Sequence, residues 1–241
     1  MSKPWILLTL ALFLAPVVAT GGGLELGPQL TSGQLAELSE HLAEAIDMPV
    51  GPARPLGVSG FELHVGGMWV RAKDSAEWWQ NAVSEGSELL DGVDGYHVLA
   101  RKGLPAGFDV GAQYGSVLGE DYWSAEVRYA LIDGGLAEPA LGVRGAWSEL
   151  AGGPVDLKVL TGQVMLSKGF TVLTPYAAAG VRWIDADARV ETDPVSLRFE
   201  SSNDTFVFNA GLHISLPPFG LRFEARRGYQ TALFFSAGFS I

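Results

Sequence analysis

Near the carboxy terminus, His213, Ser215 and Glu224 are the residue types that acyl chemistry uses. A serine hydroxyl becomes a nucleophile only beside a base, and the base needs a carboxylate to orient it. The spacing works against the trio, because the turn Pro217-Pro218-Phe219-Gly220 separates Glu224 from the other two. The ordinary expectation for His213 is a hydrogen-bonded residue on an interior wall. His64 and His97 form a second pair that neighbouring strands could bring together, but two histidines without a placed carboxylate are a weak metal signal. Cysteine is absent, which excludes a thiol nucleophile, a Cys-based metal centre, a lipidated cysteine and a disulfide framework. The expectation is therefore no catalytic residue, no metal and no cofactor. A net charge of −11 argues against nucleic acid as a partner.

The elements that would position these residues are strands. From Asn203 to Ile241 apolar residues occupy every second position: Phe206, Phe208, Ala210, Leu212 and Ile214, then Leu221, Phe223 and Ala225, then Leu233, Phe235, Ala237, Phe239 and Ile241. A period of two marks strands with two unlike faces. The same alternation recurs from Val58 onward and gives about ten strands, with 8–12 possible. They lie near 58–70, 95–103, 107–117, from Trp123 to Leu131, from Leu141 to Trp147, 155–167, 172–184, and three more after 203. Strand six alternates poorly and is expected to carry a bulge or a mixed face. Long acidic loops are expected at 71–94 and 185–203, and short turns elsewhere.

Two faces need two environments. Trp69, Trp123, Tyr129, Trp147, Trp183, Phe206 and Phe239 fall on the apolar face near strand ends, as aromatic girdles at membrane interfaces do. With 48% hydrophobic and 18% charged residues, yet no apolar run long enough for a spanning helix beyond the first 20 residues, the chain would cross a membrane as strands. Hydrocarbon offers no hydrogen-bond partner, so such a sheet must close on itself. The expected fold is all-β: a closed antiparallel transmembrane β-barrel over 58–241. Its other face carries Glu62, His64, Arg101, Asp109, Gln113, Glu126, Arg128, Arg144, Arg182, Asn209, His213, Arg222, Glu224 and Arg226. The ten charged residues of that set would form a lumen network, either structural or pore-lining. A narrow barrel with long side chains favours a filled interior over an open pore.

Ahead of the barrel, residues 1–19 read as a secretory signal: Lys3, an apolar core from Ile6 to Val18, and small residues Val17 and Ala19 before a cleavage site. In residues 20–57, Ser32 is the expected cap of a short helix reaching Ile46, with Leu35, Leu38, Leu42 and Ile46 on one face. A periplasmic helix packed against the barrel end is the preferred reading, and a plug inside the lumen is the other.

The terminal Phe-Ser-Ile resembles the closing strand of Gram-negative outer-membrane β-barrel proteins, which usually ends on an aromatic or apolar residue. The run from Pro52 to Phe61 resembles the start of the barrel in uncharacterised proteobacterial outer-membrane proteins. The resemblance implies an outer-membrane location, contact with lipid and lipopolysaccharide, and assembly by the barrel-assembly machinery through the last strand. It implies a non-enzymatic protein, either a narrow pore or a structural envelope protein. His213, Ser215 and Glu224 also loosely resemble the arrangement in outer-membrane lipid A deacylases, which keeps an enzyme acting on lipid or peptide as an alternative. A third is a surface binding or adhesion module built on loops 71–94 and 185–203, where Asp74, Glu77, Glu85, Glu88, Asp91, Asp94, Asp185, Asp187, Glu191, Asp193 and Glu200 collect. Hard cations take such oxygen ligands, but a solvated acidic loop is the simpler expectation.

Overall fold

The computed structural model describes residues 31–71, 92–135, 137–192 and 195–241, together with Leu24 and Leu26. The signal segment 1–19, residues 72–91 of the first expected loop (with its acids Asp74 to Asp91 and Trp78-Trp79) and Asp193 lie outside the described residues.

Ten antiparallel strands close into one barrel, each paired with its sequence neighbours and the first paired with the last. They are β1 (Phe61–Arg71), β2 (Gly92–Gly103), β3 (Phe108–Val117), β4 (Glu120–Ile132), β5 (Ala140–Leu150), β6 (Val155–Ser167), β7 (Leu173–Thr192), β8 (Val195–Leu216), β9 (Phe219–Arg227) and β10 (Thr231–Ser240). One helix precedes them, α1 (Ser32–Ile46).

The register is the one the alternation dictates. Phe206, Phe208, Phe223, Leu233 and Phe235 face outward and are exposed, while Val207, Asn209, Arg222 and Glu224 are buried inside. All seven aromatics assigned to the outer face are exposed there.

Four expectations change. Residues 185–192 and 195–203 are strand rather than loop. β7 and β8 pair in register out to Thr192 and Val195, forming a ribbon that passes the last β6 partner at Ala188. Asp185, Asp187 and Glu200 therefore stand on strands. Strand six carries no bulge. Its burial alternates without a break from Val155 to Ser167. The irregularity sits instead in β4, between Ala130 and Ile132. The cap of α1 is Thr31, one residue before Ser32: its hydroxyl accepts from Gln34 N, and the Gln34 side chain accepts from Thr31 N, a reciprocal capping box.

The largest change concerns α1 itself. It does not sit against the barrel end; it lies inside the barrel. Leu35, Leu38, Leu42 and Ile46 are at most 1% exposed. They join one apolar cluster with inward residues from eight strands, including Val70, Val93, Val117, Leu150, Leu157, Ile184 and Ala232.

Candidate functional site: the occupied lumen

The two mouths of the barrel differ. At one, the connections are the turns 104–107, 133–139, 168–172 and 217–218, and the barrel's own first and last strands begin and end there. The other carries the long β1–β2 connection and the β7–β8 ribbon. Between them the lumen has two halves.

The half toward the long hairpins is apolar and holds α1. The half toward the short turns is charged and holds the extended segment 47–57. Here the wall grips main chain. Arg226 donates to Glu44 O, Asp47 O and Met48 O at 3.0–3.1 Å. Arg144 donates to Met48 O at 2.7 Å, and Ser124 Oγ to Ile46 O at 2.9 Å. Arg101 and Arg128 donate to Pro49 O and Pro52 O. In the opposite sense, Val50 N and Gly51 N donate to Glu224, Ala53 N to Ser167 Oγ, and Leu56 N to Asp109.

Proline suits this wall. Pro49, Pro52 and Pro55 bring no N–H, so a donor-rich lumen meets a segment weighted toward acceptors. Gly51 has φ +72°, and a Cβ there would lie 3.0 Å from both an Arg101 nitrogen and the Arg222 guanidinium carbon. The positive φ favours glycine at this point, and the missing Cβ leaves room for the two arginines.

Charge closes the arrangement. The buried wall carries six guanidiniums (Arg101, Arg128, Arg144, Arg182, Arg222 and Arg226) against four carboxylates (Glu62, Asp109, Glu126 and Glu224). The segment supplies the two missing carboxylates. Glu44 pairs with Arg182 at 3.1 Å; Asp47 pairs with Arg182 at 2.9 Å and with Arg144 at 3.4 Å. Six buried cations then face six buried anions among the described residues. An unpaired charge in such an interior costs several kcal/mol, of order 3–5, so the balance is a condition for packing this lumen dry.

All ten charged residues read from the sequence as lumen residues are buried inside. The structure brings them into connected sets. Glu126 bridges Arg101 and Arg144. Glu62 meets Arg222 at 3.0 Å and Arg101 at 3.7 Å. Glu224 takes Asn209, Tyr176 and two backbone N–H groups of the segment. What sequence reasoning missed is Glu44 and Asp47. The available signals were the surplus of two arginines on the inward list and the apolar inward residues of strand six.

The acyl trio is not assembled. Glu224 is engaged as described, while His213 lies opposite Arg222 and its ring packs on His64, centroids 6.3 Å apart. The glycines Gly238 and Gly220 on the two intervening strands leave room for that approach. His97 turns instead toward Phe234. No cluster of three or more metal-ligating residues occurs among the described residues.

No protein-family model and no curated protein matches the sequence. Several solved barrels are similar in fold. The N-terminal β-barrel domain of Pseudomonas aeruginosa OprF is 12% identical, with 77% of this chain and 99% of that one covered and a TM-score of 0.37. The attachment invasion locus protein Ail of Yersinia pestis, solved with a heparin analogue, is 11% identical over 76% and 98%, with a TM-score of 0.37. The β domain of the Bordetella autotransporter BrkA is 10% identical over 76% and 99%, with a TM-score of 0.39.

Proposed function

We propose that the protein is a non-enzymatic outer-membrane β-barrel whose lumen is stopped by its own amino-terminal segment, a closed envelope protein rather than an open pore. The observation that carries this reading is the inversion of faces: the exposed surface is apolar and the interior is charged.

On β7 the outward residues run Leu173, Pro175, Ala177, Ala179, Val181 and Trp183, and then become Asp185 and Asp187. Ten steps at about 3.3 Å span about 33 Å along the strand. At a tilt near 40° that is about 25 Å along the axis, the height of a hydrocarbon band. Four other strands show the same change toward the long-hairpin mouth. Arg71 follows Trp69, Asp121 stands beside Trp123, Glu149 follows Trp147, and Asp204 precedes Phe206. At the opposite edge Lys102, Asp133 and Lys168 mark the boundary. A belt of this kind exposed to water would aggregate; against lipid it is solvated. In this reading the belt contacts outer-membrane lipid, and lipopolysaccharide meets the charged edge beside the long hairpins.

Two measurements test it together. Fractionation should place the protein in the outer membrane, with heat-modifiable migration on gels. Planar bilayers doped with the purified full chain should show no stepwise conductance. Stable large steps from the intact chain would overturn the closed reading, and recovery from the soluble fraction would overturn the membrane reading.

A further inference from the structure

The contacts of the amino-terminal segment fix the direction in which it is threaded. Glu37 and His41 meet Tyr229, in the turn that joins β9 to β10 at the long-hairpin mouth. Ile46 is held by Ser124 and Asp47 by Thr161, further in. Ala53 is held by Ser167 at the end of β6, and Leu56 by Asp109 at the start of β3, both at the short-turn mouth. Residues 57–60 then turn into β1, where Gly103 N donates to Gly60 O and Lys102 Nζ to Val58 O. Among the described residues the segment crosses the lumen once, and α1 starts at the far mouth. Thr31, Ser32 and Gly33 are exposed there. Leu24 belongs to the apolar cluster around α1, and Leu26 packs against it.

We infer that the amino-terminal segment, anchored in the lumen, runs inward from the outer face of the cell, with Thr31, Ser32 and Gly33 at the cell surface. The inference rests on the outer-membrane reading above and on the rule that short turns face the periplasm and longer hairpins the exterior. The anchor acts in two ways. Main-chain hydrogen bonds hold residues 44–56 with little dependence on their side chains. The charge match of Glu44 and Asp47 to the arginines then fixes the segment against sliding, since displacement in either direction leaves buried guanidiniums unpaired.

The chain contains no cysteine, so single-cysteine variants report position cleanly. Ser32→Cys and Val58→Cys place exposed thiols at opposite mouths. Cells expressing either full-length variant are treated with a membrane-impermeant maleimide, before and after the outer membrane is permeabilised. The expected result is that Ser32→Cys labels fully on intact cells, whereas Val58→Cys labels only after permeabilisation. If both thiols need permeabilisation while the protein remains in the outer-membrane fraction, the threading inference is overturned and the barrel reading stands. If Val58→Cys labels on intact cells and Ser32→Cys does not, the orientation is reversed and the inference is overturned with it. If neither variant fractionates with the outer membrane, the membrane reading itself has failed.

Discussion

The two halves of the lumen are sealed by different physics. Around α1 the seal is apolar: leucines and an isoleucine of the helix pack on valines, leucines and alanines of the wall. Such contact is strong per area but unspecific in direction. Around residues 47–57 the seal is a lattice of guanidinium-to-carbonyl and carboxylate-to-amide bonds, directional and charge-balanced. The first half supplies adhesion and the second supplies registration. A helix alone could slide or rotate on an apolar wall, and an extended segment alone would bury little apolar surface. Joined, they hold one chain at one depth.

The contrast can be broken most drastically by removing the segment from an assembled barrel. With a protease site introduced at the exposed Val58-Ser59 turn, cleavage followed by mild urea should strip residues before the cut. The emptied wall then carries six arginines against four acids. The expected outcome in planar bilayers is a change from no steps to an anion-selective channel. A cation-selective channel would show that the charge count is not what governs the lumen.

Next in size are single changes within each half. Glu126→Ala leaves Arg101 and Arg144 without their shared carboxylate, and should cost about 3–5 kcal/mol in reversible urea unfolding from lipid or detergent. Leu38→Ala in the apolar half should cost about 2–5 kcal/mol. The two differ in rescue: Glu126→Gln, which keeps the shape and loses the charge, should recover little of the first loss, whereas Leu38→Met, which keeps the volume, should recover most of the second. Equal recovery in both would dissolve the distinction. On the outer surface, Val164→Arg, at an exposed belt position facing lipid, should cost about 2–4 kcal/mol, where a water-facing site would tolerate the change. Smallest of all is the ribbon pair. Arg198 meets Asp187 at 2.8 Å with both side chains well exposed, and Arg198→Ala should leave the unfolding midpoint where it is.

The outer face was legible in the sequence and the occupant of the lumen was not. Lipid asks only that every second residue be apolar, and Phe206, Phe208, Phe223 and Phe235 answer without ambiguity. Hence the strand count, closure and inward charges all followed from alternation. The helix was misplaced because Leu35, Leu38, Leu42 and Ile46 make a single stripe, which suits one-sided packing against a barrel end equally well. Its other faces are buried through Ala43, Ala45 and the charged Glu44, residues whose burial no periodicity announces. Strand six held the clue. Val155, Leu157 and Val159 are apolar yet inward because α1 is their partner, and Leu160, Val164 and Leu166 are apolar because they face outward. Two apolar faces on one strand read as lost alternation, when both faces were well defined. The ribbon was hidden for the converse reason: beyond Trp183 and Phe206 neither face of β7 and β8 needs to be apolar, so the sequence there resembles a polar loop.

The occupied lumen is tested most directly by a cross-link between segment and wall. Ala53 N lies 3.0 Å from Ser167 Oγ, and the chain has no cysteine of its own. In the double variant Ala53→Cys/Ser167→Cys, isolated folded from membranes and mildly oxidised, the expected result is near-complete disulfide formation with both thiols shielded from maleimide beforehand. Two freely reactive thiols that stay unlinked would mean that residues 47–57 do not run through the barrel.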